Sequence, residues 1–519
     1  MKTYELHADE TLEITALSDD SRTAGKGCLF AALRGEKTDG HEHIAAAWQN
    51  GAACVLCETA PAADVPYVLV PDSRYALAQM AAVWYDDALR KLTLIGVTGT
   101  NGKTTTTYLV KQLLESVLGA RVGLIGTNQN MIAQECLPAT RTTPGTLELY
   151  GLLARMADEG CTHAVMEVSS HALAQHRAAG LRFAVGIFTN LTQDHLDYHG
   201  TMEAYCDAKA RLFAQCGAAV VNGDDPWKER VLRLANCPVT TFGQDLTNDL
   251  TGWRVHYEND RVRFTVCDDT EHIETFVPIP GAFSLYNALG ALGTMRALGV
   301  PLKRAAPALQ KCTGVRGRCE VVPTDTDYTV LIDYAHTPDG LKNILTTVCG
   351  FAENRVLAVF GCGGDRDRTK RARMGRIAAA LADFVVVTDD NPRTESPYAI
   401  LHDILEGMRD STTPFAVLEN RREAIAFALE HAHPGDVVVL AGKGHETYQI
   451  IGTQTLTLDE REVVHTYLMQ KQRKDAGEPA GGEQYEDRAG MHRELCSRGD
   501  CGKIPDSGSA PSQGGTEHP

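Results

Sequence analysis

The amino-acid sequence predicts an α/β protein built on parallel sheets. Short apolar runs rich in β-branched residues alternate with helical patterns from about residue 92 to 310, and again from about 319 to 470. Strands that alternate with helices are typical of parallel α/β topology. The 519 residues are enough for about three domains at a typical ~150 residues each. We therefore expect a three-domain α/β architecture.

Four segments can be distinguished along the chain: 1–88, 89–318, 319–472 and 473–519. In the second segment, the alternating residues 255–257 and 262–266 predict an antiparallel insertion. The last segment has few large apolar residues and cannot offset the entropy cost of ordering, so we predict a disordered tail. The predicted strands lie at 27–33, 53–56, 92–97, 122–125, 163–166, 183–188, 218–221, 329–332, 356–360, 384–387 and 436–440.

Composition narrows the class of protein. The formal net charge of −17 argues against binding to nucleic acid or to an anionic membrane. No run of about 18 apolar residues and no apolar signal-peptide core are present, so we expect a cytoplasmic protein without membrane insertion. The 15 cysteines are expected to be reduced thiols. Cys54 and Cys57 form a single CxxC, which we interpret as two half-buried thiols on a strand rather than a zinc site.

A glycine-rich segment follows the predicted strand at 92–97 and precedes a helical pattern at 108–118. It reads Thr-Gly-Thr-Asn-Gly-Lys-Thr-Thr over residues 98–105. Glycines let backbone N–H groups approach phosphate oxygens, and the following helix adds its N-terminal dipole. Lys103 is then expected to reach the terminal phosphates, and Thr104 to ligate Mg²⁺. Val97 stands where the usual first glycine would be, and a plain glycine-rich turn is the alternative interpretation.

Further motifs follow this loop in a fixed order. Together with Gly-Thr-Asn-Gly-Lys-Thr-Thr at 99–105, the ordered set resembles the Mur ligase signature. The resemblance covers about residues 15 to 468, and the set is highly specific although each short motif is weak alone. The other motifs lie at 166–171, 175–177, 189–199, 205–209, 286–288, 333–338, 361–367, 389–393 and 441–446.

The resemblance implies a three-domain Mur ligase architecture, with a central P-loop ATPase-type parallel sheet and a Rossmann-like C-terminal domain. Residues 1–88 would bind a UDP-linked precursor, 89–318 would bind ATP, and 319–472 would bind the amino acid. The implied reaction adds meso-diaminopimelate to the D-glutamate carboxylate of UDP-N-acetylmuramoyl-L-alanyl-D-glutamate through an acyl phosphate, in peptidoglycan biosynthesis. ATP and Mg²⁺ are the implied cofactors, and we expect a monomer.

The resemblance also implies roles at the nucleotide and metal site. Catalytic roles fall to Lys103, Lys209 and His195, with Thr104, Glu167, His195 and a carbamylated Lys209 holding Mg²⁺. Taken without the motif, Glu167 would be a surface carboxylate at a strand end, and Lys209 a solvated helical lysine. The implied nucleotide contacts are Gly99, Thr100, Asn101, Gly102, Lys103, Thr104, Thr105, Asn287, Arg318 and Asp333.

For the UDP-linked precursor, the resemblance points to Ser21, Thr142, Thr143, Ser169, Gln175 and Arg177, with the segment 36–38 near Ser21. Arg141 stands where related sequences often have Asn. Ordinary turn and cap chemistry is the alternative interpretation for these polar residues.

The motif Asp-Asn-Pro-Arg at 390–393 is expected to select the amino acid. Diaminopimelate carries a second carboxylate, which lysine lacks. A planar guanidinium can bind this carboxylate through paired hydrogen bonds. Arg393 fits this role, although the motif is also a turn. The resemblance adds contacts from Asp390, Asn391, Pro392, Arg366, Gly442 and Glu446, with Glu446 binding the distal ammonium.

Three alternatives remain open from the sequence. The first is a ligase of the same family that adds L-lysine. The second is a ligase similar to folylpolyglutamate synthase, which would not explain residues 1–88 or the motif at 390–393. The third is a non-catalytic nucleotide-binding regulator, against which the presence of Lys103, Glu167, His195 and Lys209 argues.

Overall fold

The computed structural model describes residues 4–35 and 38–475, with side chains described as far as residue 473. This chain divides into two compact units, which meet in sequence between Val321 and Val322. The predicted segment limits at 88, 318 and 472 stay predictions. Residues 473–475 complete the last helix, and the rest of the predicted tail lies outside the described residues, as do Glu36 and Lys37.

The first unit begins with a five-stranded sheet in the order β1-β5-β4-β3-β2, in which β1 is antiparallel to β5 and the other neighbours are parallel. Cys54 and Cys57 are fully buried on β4, so the expectation of half-buried thiols is wrong. The reason is that β4 is the central strand and both of its faces are covered. The strands are β1 (Glu5–His7), β2 (Ala16–Ser18), β3 (Cys28–Ala31), β4 (Cys54–Cys57) and β5 (Tyr67–Leu69), and the helices α1 (Ile44–Gln49), α2 (Ser73–Trp84) and α3 (Asp86–Leu89).

An eleven-stranded sheet forms the rest of the first unit. Its strands are β6 (Thr93–Thr98), β7 (Val122–Ile125), β8 (Asn130–Ile132), β9 (Glu135–Leu137), β10 (His163–Glu167), β11 (Phe183–Phe188), β12 (Cys216–Asn222), β13 (Val239–Gly243), β14 (Leu250–Tyr257), β15 (Val262–Cys267) and β16 (His272–Val277). Its helices are α4 (Lys103–Leu118), α5 (Thr146–Asp158), α6 (Ser170–Ala174), α7 (Leu196–His199), α8 (Met202–Ala210), α9 (Lys228–Leu232), α10 (Ala282–Ala297) and α11 (Leu302–Leu309).

The strand order of this sheet brings three functional loops together. Strand β6 lies between β10 and β11, and all three run parallel. Their carboxyl ends therefore meet at one edge, which carries the glycine-rich loop after β6, Glu167 at the end of β10, and the segment that begins at Thr189 after β11. Strands β14, β15 and β16 are joined by antiparallel pairings, as expected for residues 255–257 and 262–266, and extend the same sheet.

The second unit holds a six-stranded sheet in the order β17-β18-β22-β19-β20-β21, with β18 to β21 joined by parallel pairings, and a separate two-stranded hairpin. The loops after β19, β20 and β22 leave the same edge and carry the motifs at 361–367, 389–393 and 441–446. The elements are β17 (Glu320–Val322), β18 (Thr329–Asp333), α12 (Pro338–Cys349), β19 (Val356–Phe360), α13 (Thr369–Leu381), β20 (Phe384–Val387), α14 (Pro397–Glu406), β21 (Phe415–Val417), α15 (Arg421–Glu430), β22 (Val437–Ala441), β23 (Tyr448–Ile451), β24 (Gln454–Thr457) and α16 (Glu460–Asp475).

Helix α4 begins at Lys103, five residues before the helical pattern recognised at 108–118. Four consecutive threonines, 104–107, weaken the helix propensity of this stretch because β-branched side chains lose rotamer freedom. All four are buried, so packing outweighs propensity. Across the described ranges, no helix combines the length and apolar character needed to cross a membrane.

Candidate active site

The glycine-rich loop presents an uncapped helix terminus. Helix α4 starts after Gly102, which has φ of +82° and makes no side-chain cap hydrogen bond. The first backbone N–H groups of a helix lack intrahelical partners, and together with the helix dipole they favour an anion. A Cβ at Gly102 would collide with Oδ1 of Asn287, so both the backbone angle and the neighbour require glycine here.

Lys103 folds back over the loop that it follows. Its ammonium donates to the carbonyl oxygens of Gly99, at 3.0 Å, and Thr100, at 2.9 Å. Burial lowers the pKa of Lys103, the charges of Glu167 and Asp194 oppose this shift, and Arg318 adds to it. The lysine that sequence reasoning assigned to phosphate therefore lies at the loop, with Glu167 and Arg318 close enough to affect its charge.

Glu167 is only 1% exposed, which contradicts the alternative of a surface carboxylate. Its Oε1 accepts hydrogen bonds from the Thr104 hydroxyl, at 2.9 Å, and from the Thr127 backbone N–H, at 2.8 Å. Its Oε2 accepts from the Thr127 hydroxyl at 3.0 Å. Sequence reasoning missed Thr127, whose signal was its position just after the strand that pairs with β10.

Lys209 is buried at 1% exposure, so the alternative of a solvated lysine is also wrong. Its ammonium donates to the Gly99 carbonyl at 2.7 Å and lies 4.5 Å from the centre of the Tyr205 ring. Burial, followed by the charge of Lys103, holds the pKa of Lys209 well below its usual range. A buried amine that readily loses its proton is suited to covalent modification.

His195 belongs to a cluster of rings beside Lys209. It has φ of +51°, and its ring centre lies 4.8 Å from that of His171 and 6.1 Å from that of Tyr205. His199 donates to or accepts from the Ser170 hydroxyl at 3.0 Å. Burial, followed by the charges of His171, Lys209 and His195, lowers the pKa of His199 to about 4.

The fit of this donor set to Mg²⁺ depends on the state of Lys209. Among the described residues, no group of three or more His, Cys, Asp and Glu side chains is arranged to hold a metal. Thr104 and Glu167 provide the oxygen ligands that Mg²⁺ prefers, but an unmodified Lys209 would place a second ammonium near Lys103. A carbamate on Lys209 would replace that charge with carboxylate oxygens, so the set fits Mg²⁺ with the carbamate.

The predicted nucleotide contacts fall in both units. In the first unit, Asn287 is buried, its Oδ1 accepts from the Thr106 hydroxyl at 3.3 Å, and its Nδ2 finds no acceptor among the described residues. A buried donor without a partner is costly, so this amide is free to donate to a ligand. In the second unit, Asp333 ends β18, and its carbonyl accepts from the Gly442 N–H at 3.0 Å.

Most of the predicted precursor contacts form one hydrogen-bonded group in the first unit. Arg177 donates to the Thr143 carbonyl at 2.9 Å and to the Gln175 side-chain oxygen at 2.6 Å. The Thr143 hydroxyl accepts from the Ser169 N–H at 3.0 Å, and the hydroxyl oxygens of Thr142 and Thr127 lie within hydrogen-bond distance at 3.0 Å. Ser21 is the exception, because its recorded hydrogen bond joins its carbonyl to the Asn50 side chain at 2.9 Å.

Two further arginines lie near this group. Burial, followed by the charges of Arg141 and Arg74, lowers the pKa of Arg177. Burial also raises the pKa of Asp19, and the same two arginines oppose that shift. Arg177 thus lies within electrostatic range of Arg141 and Arg74, and this concentration of positive charge favours an anionic ligand. Sequence reasoning did not include Arg74, which lies in the first turn of α2.

In the second unit, the motif at 390–393 is held against the hairpin of β23 and β24. The Arg393 N–H donates to the Ile450 carbonyl at 3.0 Å, and the Gly452 N–H donates to the Arg393 carbonyl at 2.7 Å. Arg393 has φ of +54°, is half-buried, and donates through Nη1 to the Gly364 carbonyl at 2.8 Å. Its Nε and Nη2 make no recorded hydrogen bond to the described residues, so they can bind a carboxylate.

Carboxylates and one lysine lie beside this arginine's loop. Asn391 donates to Glu446 Oε2 at 3.2 Å, and Lys443 Nζ lies 3.1 Å from Asp390 Oδ1. Burial would raise the pKa of Asp390, but the charges of Lys443 and Arg421 hold it below its usual value. Gly442, with φ of +119°, brings its backbone close to Asp390 Oδ2.

The loop at 361–367 contributes the predicted Arg366 and is tied to the Arg393 loop. Asp365 accepts from the Thr394 hydroxyl at 2.9 Å through each carboxylate oxygen, and its N–H donates to Glu395 at 2.6 Å. Arg366 donates through Nη1 to the Asp365 carbonyl at 3.0 Å. Pro392 is buried between Asn391 and Arg393. The two arginines are thus carried by loops that hold each other in place.

Comparison with known proteins identifies the class. The chain matches the Mur ligase family catalytic domain over residues 13–85, the Mur ligase middle domain over 97–295, and the Mur ligase glutamate ligase domain over 317–444. The chain belongs to the Mur ligase family, which confirms the three-domain α/β architecture expected from the sequence.

Three similar proteins share one name, UDP-N-acetylmuramoyl-L-alanyl-D-glutamate–2,6-diaminopimelate ligase. A relative from Caldanaerobacter subterraneus is 43% identical over 91% of this chain and 98% of its own length. One from Gloeobacter violaceus is 47% identical over 89% of this chain and 95% of its own length. A solved structure with the same name is 34% identical, with a TM-score of 0.69 over 88% of this chain and 95% of its own.

Proposed function

We propose that this protein is an ATP-dependent ligase that adds meso-diaminopimelate to the D-glutamate carboxylate of UDP-N-acetylmuramoyl-L-alanyl-D-glutamate, in peptidoglycan biosynthesis. The proposal of diaminopimelate as the amino acid is supported by the loops at 361–367, 389–393 and 441–446 of the second unit. There Arg393 keeps guanidinium nitrogens available for a carboxylate, while Asn391 of the same loop donates to the carboxylate of Glu446. The far end of diaminopimelate carries one carboxylate, which matches the Arg393 guanidinium, and one ammonium, which matches the Glu446 carboxylate.

The proposed reaction has two steps. The D-glutamate carboxylate attacks the γ-phosphorus of ATP, which gives an acyl phosphate and ADP. The neutral amine of diaminopimelate then attacks the acyl carbon, inorganic phosphate leaves, and the amine loses a proton. Phosphorylation is needed because a carboxylate is a poor electrophile and carries no good leaving group.

Cationic side chains and backbone N–H groups of the chain would bring together two anions, the phosphates of ATP and the precursor. The N–H groups that open α4 and the ammonium of Lys103 would hold the phosphates, with Lys103 exchanging its contacts to Gly99 and Thr100 for phosphate oxygens. Mg²⁺ held by Thr104, Glu167, His195 and carbamylated Lys209 would supply further positive charge for the phosphates. Arg177 and the nearby Arg74 and Arg141 would bind the anionic precursor. We place the reaction in the cytoplasm, with the protein acting as a monomer.

A coupled assay tests the proposal. Purified protein is incubated with ATP, Mg²⁺ and the precursor, together with either diaminopimelate or L-lysine, and phosphate release and product mass are measured. We expect phosphate release and a new amide with diaminopimelate, and at least about 10²-fold lower kcat/KM with lysine, because the guanidinium would be left unpaired. Equal use of lysine would favour the lysine-adding alternative. Absence of both phosphate release and amide would reject the ligase and leave a nucleotide-binding regulator.

A further inference from the structure

A fully buried ammonium lies between the loops at 389–393 and 441–446 of the second unit. Lys443 follows β22 in the Gly-Lys-Gly-His-Glu segment and is 0% exposed. Its Nζ lies 3.1 Å from Asp390 Oδ1, 3.1 Å from Asn391 Oδ1 and 3.4 Å from Glu446 Oε2. A lysine in a glycine-rich loop is ordinarily solvated, and a buried one requires compensating partners. Three polar side chains therefore compensate the burial of this one ammonium.

Both polar atoms of the Asn391 side chain are engaged in hydrogen bonds. Its Oδ1 accepts from Lys443 Nζ at 3.1 Å and from the Ile450 N–H at 2.9 Å, while its Nδ2 donates to Glu446 Oε2 at 3.2 Å. The amide orientation is fixed, because only the oxygen can face the two donors. Asn391 thus transmits the position of Lys443 to the carboxylate of Glu446.

The two oxygens of Glu446 consequently differ. Oε2 accepts hydrogen bonds from the Lys443 ammonium and the Asn391 amide. Within the described part of the chain, Oε1 accepts from the Tyr334 hydroxyl at the long distance of 3.5 Å. Oε1 can therefore accept a stronger hydrogen bond from a ligand. The charges support a cationic ligand, because the carboxylates of Asp390, Glu446 and Glu460 exceed by one the cationic groups of Lys443 and Arg421 with which they pair.

We propose that Lys443 is a positioning residue for the amino-acid substrate, which presents Oε1 of Glu446 to the distal ammonium of the incoming diamino acid. The inference rests on the proposed function and adds to it the group that orients the ammonium contact. Because Lys443 is sealed from solvent, its role is to orient Glu446 rather than to contact the substrate. Its removal would free Glu446 to rotate and would leave the carboxylates of Asp390 and Glu446 to repel each other.

The test compares two substrates that differ only at the distal ammonium. Diaminopimelate carries this group, whereas 2-aminopimelate keeps the reacting amine and both carboxylates but lacks it. For Lys443→Met we expect the ratio of kcat/KM for diaminopimelate to that for 2-aminopimelate to fall at least tenfold, chiefly through the KM for diaminopimelate. The KM values for ATP and for the precursor should stay within twofold. The exposed Lys342→Met in α12 is the matched control and should leave the ratio unchanged.

A purely structural role gives a different result. If Lys443 only stabilised the fold, its loss would lower activity toward both substrates equally, and an unchanged ratio would overturn the proposal. Lys443→Gln is the second variant, since it removes the charge but keeps a donor for Asn391, and we expect a smaller fall in the ratio. Failure of both variants to fold would assign Lys443 to folding and would also overturn the proposal. Wild-type protein that forms no amide would instead refute the proposed function.

Discussion

Lys103 and Lys209 donate to the same backbone oxygen, the carbonyl of Gly99, at 3.0 and 2.7 Å. Two ammonium groups that share one acceptor repel each other, and burial increases the cost because little water screens them. Burial and the charge of Lys103 together hold the pKa of Lys209 well below its usual range. A neutral Lys209 amine is a nucleophile that carbon dioxide can carbamylate. The geometry thus supports the modification that the family resemblance implied.

Replacement of Lys209 by alanine should reduce ligase activity by on the order of 10²-fold or more, because the oxygens proposed to hold Mg²⁺ are lost. A short carboxylic acid should partly restore activity by occupying the vacated space. Phosphate release measures both effects. The control is Lys228→Ala, which removes another lysine that donates to a backbone carbonyl and should retain activity. Full activity of Lys209→Ala, or of Lys209→Arg, would argue against a carbamate.

Replacement of Gly102 by alanine should raise the KM for ATP about tenfold, since a left-handed alanine costs on the order of 1 kcal/mol and its Cβ would displace Asn287. Steady-state kinetics with varied ATP measure the change. Gly119→Ala is a matched control at the other end of α4, because Gly119 has φ of +63° but a Cβ there meets no atom within 4 Å. A similar rise in KM for both variants would assign the effect to helix stability.

Replacement of Arg393 by alanine should raise the KM for diaminopimelate on the order of 10²-fold, because it removes the charged group proposed to bind the distal carboxylate. The KM for ATP should hardly change. Arg376→Ala, an exposed arginine on α13, is the control and should behave as wild type. If the Arg393 substitution changed both KM values equally, Arg393 would not be the recognition group.

The sequence predicted the features that depend on local pattern. Apolar runs gave the strands, and their ends located the loops that carry Lys103, Glu167 and Arg393. Features that depend on strand neighbours could not be predicted, because Thr127 reaches Glu167 only where β7 pairs with β10. The burial of Lys443 was missed for a related reason, since its three partners lie in two loops that meet only in the folded sheet.

The last prediction concerns Asp389, which precedes the amino-acid motif and is 4% exposed. Burial, followed by the charges of Glu419 and Asp390 and opposed by that of Arg421, raises the pKa of Asp389 to about 7. Its Oδ1 finds no hydrogen-bond partner among the described residues. Between the ordinary aspartate pKa of about 4 and pH 7, the folded protein therefore keeps a proton that the unfolded chain releases. The stability contributed by this group is complete below pH 4 and is lost as the pH rises through 7.

Asp389→Asn replaces the carboxyl with a neutral group at every pH. The variant should therefore gain stability relative to wild type as the pH rises from 5 to 8. We expect a gain in the free energy of unfolding of at least about 1 kcal/mol, since a shift of one pKa unit already corresponds to about 1.4 kcal/mol. Thermal unfolding of the full chain at both pH values measures the difference. Asp410→Asn, at an exposed position in the same unit, should show no such pH dependence. An equal stability difference between variant and wild type at pH 5 and at pH 8 would mean that Asp389 is ionised throughout, held by Arg421.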